Sequence, residues 1–158
     1  MRKSLFQLST IFGLLVASAA LADESGMHHG FVLGSSFEDA QKHAVANGFK
    51  LAPLSDDLPG SWSVAETGQT LFVCGDTVTS ITERLNGDLE EFTALVFSLT
   101  VKFGEPETQI LSVPSGTGII STIDARFITG DGGALVQLQS IDGKRSFSAS
   151  FWNESDCR

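Results

Sequence analysis

Three histidines and two cysteines are the residues of this 158-residue chain best suited to chemistry, and their spacing decides how much they could do. His28 and His29 are adjacent near the start of the chain. A neutral imidazole binds zinc, copper or nickel, but two such ligands with no carboxylate or thiol at fixed spacing make a weak site, so a solvated arm competes with a metal site. His43 falls beside the apolar stripe of a short helical pattern, where a lone histidine more often has a structural partner than a substrate. The acid pairs Asp56-Asp57 and Glu90-Glu91 could share protons in acid–base work, but adjacent acids are expected by chance in a chain with 19 Asp and Glu against 10 Lys and Arg.

Nucleophilic catalysis needs a hydroxyl or thiol with a base in reach. The chain has no nucleophile elbow, Walker loop, HExxH or CxxC. The glycine-rich run Thr129 to Gly133 has one acid and no lysine and lies between strand patterns, so it reads as a hairpin loop rather than a phosphate cradle. No cofactor is expected. With a formal net charge of −9, phosphate backbones and anionic membrane surfaces are disfavoured partners, and a charged partner should be basic.

The first 22 residues carry Arg2 and Lys3, an apolar run from Ile11 to Ala20, and the small-residue site Ala20-Leu21-Ala22 before Asp23. This is the pattern of a secretory signal peptide. The run is too short for a permanent span, which needs about 20 apolar residues, and Asp23 stands where a lipid-anchored bacterial protein would need cysteine. An exported protein, periplasmic or secreted and without a membrane anchor, is the expectation. In that oxidising setting the even count of two cysteines predicts a Cys74–Cys157 disulfide. Asn153-Glu154-Ser155 is a glycosylation acceptor by sequence if the source is eukaryotic. Tyrosine is absent, leaving Trp62 and Trp152 either as partly buried residues or as aromatic anchors for a ligand.

These residues must be positioned by a small set of elements. Ser36 as cap, Asp39 in the first turn and Gly48 as stop predict a helix with Phe37, Ala40 and Ala44 on one stripe. Lys50 to Gly60, with two prolines, reads as a loop without regular structure. Ser61 to Glu66 and Leu71 to Val73 read as short strands, and Gly75-Asp76 as a II′ hairpin turn. Asp88 and Glu91 have capping-box spacing, opening a long helix that ends at Gly104 and Pro106. Along it Leu89, Phe92, Val96, Leu99 and Phe103 share a face with Leu95 beside them, while Phe97 and Val101 lie off the stripe. Glu107 to Gly118 reads as a second loop.

The pattern then switches to a period of two. Strands are expected over Ile119 to Ile128, Ala134 to Ile141 and Lys144 to Trp152, the last two joined by Asp142-Gly143 as a type I′ turn. That turn pairs Ile141 with Lys144, and counting outward pairs Leu138 with Phe147, Val136 with Ala149 and Ala134 with Phe151. Every apolar partner then falls on one face. The opposite face collects Thr122, Asp124, Arg126, Gln137, Gln139, Ser146, Ser148 and Ser150, and reads as a wet, plain solvated face or as a binding surface.

The whole predicts a signal peptide over residues 1–22, a flexible arm over 23–34 and a single α+β domain over 35–158. That domain is expected to have about five to six antiparallel strands with two helices packed on one face. The Gly34-Ser35-Ser36 helix entry, the Phe72-to-Val78 hairpin, the helix ending Lys102 to Pro106 and the terminal meander together resemble two groups of small exported bacterial domains. These are the β-lactamase-inhibitory-protein-like and the outer-membrane-assembly accessory type. The resemblance implies a non-enzymatic binding protein. The functional expectation is a soluble exported accessory domain recognising a protein or envelope component, with Gln137, Gln139, Ser148, Trp62 and Trp152 as candidate contacts. The alternatives are a metal-binding protein using His28 and His29, and a small hydrolase built around His43 and the acidic 50–60 loop.

Overall fold

The computed structural model describes residues 28–116 and 118–154. The leader pattern, residues 23–27 of the arm and Cys157 lie outside the described residues. In chain order the elements are α1 (Phe37–Ala46), β1 (Leu51–Pro53), β2 (Ser61–Val64), β3 (Gln69–Cys74), β4 (Thr77–Leu85), α2 (Leu89–Phe103), β5 (Glu107–Ser115), β6 (Gly118–Thr129), β7 (Gly132–Ile141) and β8 (Lys144–Asn153).

All eight strands form one antiparallel sheet in the order β1-β2-β3-β4-β8-β7-β6-β5. This overturns the expected α+β layout of five to six strands with helices on one face. The fold is mainly β, with more than twice as many residues in strands as in helices. Two strands were hidden in segments that read as loops. β1 is three residues ending in Pro53, paired with β2 through Leu51–Val64 and Pro53–Trp62, and too short to show periodicity. β5 is nine residues long and exposed throughout, so it has no buried side to impose alternation, and Pro114 and Gly116 add turn signals. A strand at the sheet edge tolerates proline because one row of its backbone groups has no ladder to complete.

Helix α1 starts as its sequence suggests: Ser36 Oγ accepts from the Asp39 amide at 3.1 Å. The capping box of α2 is complete, with Asp88 accepting from the Glu90 amide at 2.8 Å and Glu91 accepting from the Asp88 amide at 2.9 Å. The β3–β4 turn differs from the II′ expectation, because both Gly75 (φ 52) and Asp76 (φ 65) are left-handed, the signature of type I′. Asp142 and Gly143 are left-handed as well (φ 48 and 78), and the β7–β8 register is Ile141–Lys144, Leu138–Phe147, Val136–Ala149 and Ala134–Phe151.

The core has two adjoining parts. Phe92 and Leu99 of α2 pack with Ala125, Phe127, Ala134, Val136, Phe147, Ala149 and Phe151. Ala40 and Ala44 of α1 pack with Phe31, Val64, Leu71, Val78 and Ile81. Ile81 and Phe151 are partners across the β4–β8 ladder, and Leu33 touches both parts, so the two halves are continuous. The α2 stripe keeps its phase with one exception: Leu89 at its start is 54% exposed, while Phe97 and Val101, off the stripe, are exposed. Gly133 marks a close approach, since a Cβ there would collide with the Phe127 carbonyl and the Trp152 ring.

Candidate functional site

Alternation along β4, β8, β7 and β6 puts one set of polar side chains on the sheet face opposite Ile81, Phe151 and Val136. Register sets the rows: Arg84–Ser148 and Ser148–Gln137, then Gln137–Asp124; and Ser146–Gln139, then Gln139–Thr122. Thr82 and Ser150 lie in the row alongside. These side chains are mostly half-buried rather than fully wet.

A concavity of about 400 Å³ opens on this face, lined in part by Ser63, Thr70, Thr82, Arg84, Gln137, Gln139, Ser146 and Ser148. Part of its floor is fixed. The Gln137 amide donates to Asp124 Oδ1 at 3.0 Å, and the Thr82 and Ser150 hydroxyls are 2.9 Å apart. Another part is uncommitted: the side chains of Arg84, Gln139, Ser146 and Ser148 make no hydrogen bond or ion pair with another described residue. The Thr122 hydroxyl is buried without a partner among the described residues. A buried or half-buried polar group keeps its desolvation cost until something pairs with it, which is the condition a ligand relieves. A second concavity of about 700 Å³ adjoins the first and shares Arg84, Gln139, Ser146 and Phe147 with it. Its walls are the 84–87 segment before α2 and the β7–β8 hairpin.

The structure therefore gathers Gln137, Gln139 and Ser148, and separates them from both tryptophans. Trp62 packs against Phe37, ring centroids 4.7 Å apart, at the margin of the α1 core. Trp152 lies across Gly133 with the Arg126 guanidinium 5.6 Å above its ring. Neither lines the concavities.

The histidines hold the start of the described chain against the sheet. His28 is 7% exposed and meets Phe151 edge-on at 4.7 Å. His29 Nε2 stands 3.4 Å from Glu83 Oε1. Burial pushes the Glu83 carboxyl above its ordinary range, with His29 opposing. His43 Nε2 is 2.8 Å from the His29 carbonyl, so this nitrogen carries the proton and donates, and its ring meets Phe31 edge-on at 4.9 Å. No carboxylate lies within 4.0 Å of His43 among the described residues. No group of three or more His, Cys, Asp or Glu could hold a metal ion among them either.

No family model and no curated protein matches the chain.

Sequence reasoning missed Arg84, Lys144 and Arg145. Lys144-Arg145 was visible beside a hairpin turn, but only the β4–β8 pairing brings Arg84 to the same place. No helix among the described residues is long and apolar enough to cross a membrane.

Proposed function

We propose that this chain is a soluble, exported, non-enzymatic binding domain that recognises a protein or envelope component through the polar face of its sheet. The carrying observation is the concavity over Gln137, Gln139 and Ser148, where hydroxyl, amide and guanidinium groups converge with part of the set held in place and part unpartnered. Convergent polar groups in a concave surface on rigid strands are what recognition requires. The leader pattern at residues 1–22 supports export. Reading the Cys74–Cys157 pair as a disulfide agrees with the direction of β8: its register against β4 runs from Leu85 back to Ser80, toward the turn that follows Cys74. The resemblance to exported accessory domains points the same way.

The test is capture from envelope extract by the wild-type chain and by a Gln137→Lys, Gln139→Lys, Ser148→Lys variant. Lysine stems cover half-buried surface while their heads reach water, so the variant should keep its melting temperature within a few degrees. Partner capture should fall to background. Full retention of the partner by the folded variant would place recognition elsewhere.

A further inference from the structure

The chain is strongly acidic, yet three of its cations stand together. Arg84, Lys144 and Arg145 all line the larger concavity. Most other described cations are engaged: Lys42 with Glu38 at 2.7 Å, Lys102 over the Phe103 ring at 4.9 Å, and Arg126 over Trp152. The three at the concavity form no ion pair among the described residues. Asn86, Gln139 and Ser146 add neutral donors to the same wall.

Three acids stand near the cleft, and one of them, Glu91 behind Gly87, already accepts from the Asp88 amide at 2.9 Å. Asp142 lies in the lining, but its carboxylate is turned against Gly118 across the neighbouring hairpin, where a Cβ would sit 3.1 Å from Oδ1. Asp88 feels the charge of Arg145, but its carboxylate is already committed to the α2 cap through the Glu90 amide. None of these acids is within 4.0 Å of a cationic nitrogen in the cleft.

We infer that the cleft between the 84–87 segment and the β7–β8 hairpin is a binding site for a small polar ligand bearing a phosphate or carboxylate, held by Arg84, Lys144 and Arg145. Guanidinium groups present paired N–H donors that match the oxygens of such groups, and lysine adds a mobile point charge. The acidity of the whole chain does not forbid this, because charges more than a Debye length away, about 8–10 Å in physiological salt, are largely screened. The adjoining amides and hydroxyls of Gln139 and Ser146 would then meet the ligand's neutral polar part. This deepens the reading above and rests on it, since Arg84, Gln139 and Ser146 belong to both concavities.

The experiment is titration of the full chain with inorganic phosphate, glucuronate and neutral glucose, followed by amide chemical shifts. Saturable shifts at Arg84 to Gly87 and Lys144 to Phe147 are expected with phosphate, glucuronate or both, and none with glucose. An Arg84→Gln, Lys144→Gln, Arg145→Gln variant should weaken anion binding about tenfold or more. A Lys42→Gln, Lys50→Gln, Lys102→Gln variant, with the same change in net charge, should match the wild type. Equal weakening in the two variants, or no saturable anion binding, overturns the site. If anions fail to bind but the Gln137, Gln139, Ser148 variant still loses its partner, only the anion site falls. If anions bind and that lysine variant keeps its partner, the partner surface falls and the anion site stands.

Discussion

Replacing Phe92 by alanine empties the position on α2 that ties the helix to the sheet. Phe92 is 5% exposed, packs edge-on to Phe147 at 6.3 Å between centroids, and lies in the core part formed by β6, β7 and β8. Truncating a buried phenylalanine costs about 3–5 kcal/mol, of which the aromatic pair accounts for roughly 0.5–1.5. In a domain of this size that lowers the melting temperature by about 10–20 °C. The diagnostic comparison is with Leu89→Ala and Phe97→Ala on the same helix, at positions 54% and 70% exposed, where each loss should stay below about 1 kcal/mol. Leu89 is the sharper control, since helical periodicity alone groups it with Phe92. Urea unfolding followed by tryptophan fluorescence and circular dichroism measures all three. Comparable losses at Phe92 and Leu89 would refute the placement of α2, and an unchanged denaturant midpoint for Phe92→Ala would mean the helix is not docked at all.

Glu83→Gln should stabilise the protein at neutral pH. Burial raises the Glu83 carboxyl in the folded state, so the stability tied to its protonation is present below its ordinary value of 4.5 and lost as pH rises through the folded value. The advantage of the glutamine variant should therefore shrink as pH falls toward 4.5, and a gap that is constant or widens on acidification would contradict this. Gly133→Ala should destabilise by about 1–3 kcal/mol through collision with the Phe127 carbonyl and the Trp152 ring. Gly130→Ala, in the same hairpin with open space around it, should be close to neutral by thermal unfolding. If Cys74 and Cys157 are bonded as proposed, thiol titration of unreduced, unfolded protein should find none, whereas two free thiols would remove the bridge from the account.

What was legible in the sequence were the segments where one side is buried and a local device marks the end. The β7–β8 hairpin could be paired residue by residue because Asp142-Gly143 demands a left-handed turn and the alternation from Ala134 to Phe151 admits one register. Asp88 and Glu91 announced α2 for the same reason. β5 was invisible because Ile110, Leu111 and Val113 are all exposed, so solvent rather than packing faces them and no period is imposed. Polar face residues Gln137, Gln139 and Ser148 followed from the hairpin register, but the cation cluster depends on the pairing of β4 with β8, which no local pattern encodes. Trp62 was a candidate contact on residue type alone, and in the structure it packs on Phe37.

The order of strands has a consequence in time as well as space. β8 is the last of the described strands, yet it sits between β4 and β7 and joins the two halves of the sheet. Until it arrives, β1 to β4 and β5 to β7 have no shared ladder, and Ile81 lacks its partner Phe151. Pairings between residues far apart in sequence form slowly. Assembly of this sheet must therefore wait for β8. A chain cut short before Lys144 would leave β4 and β7 as two open edges, competent to pair with the wrong neighbour.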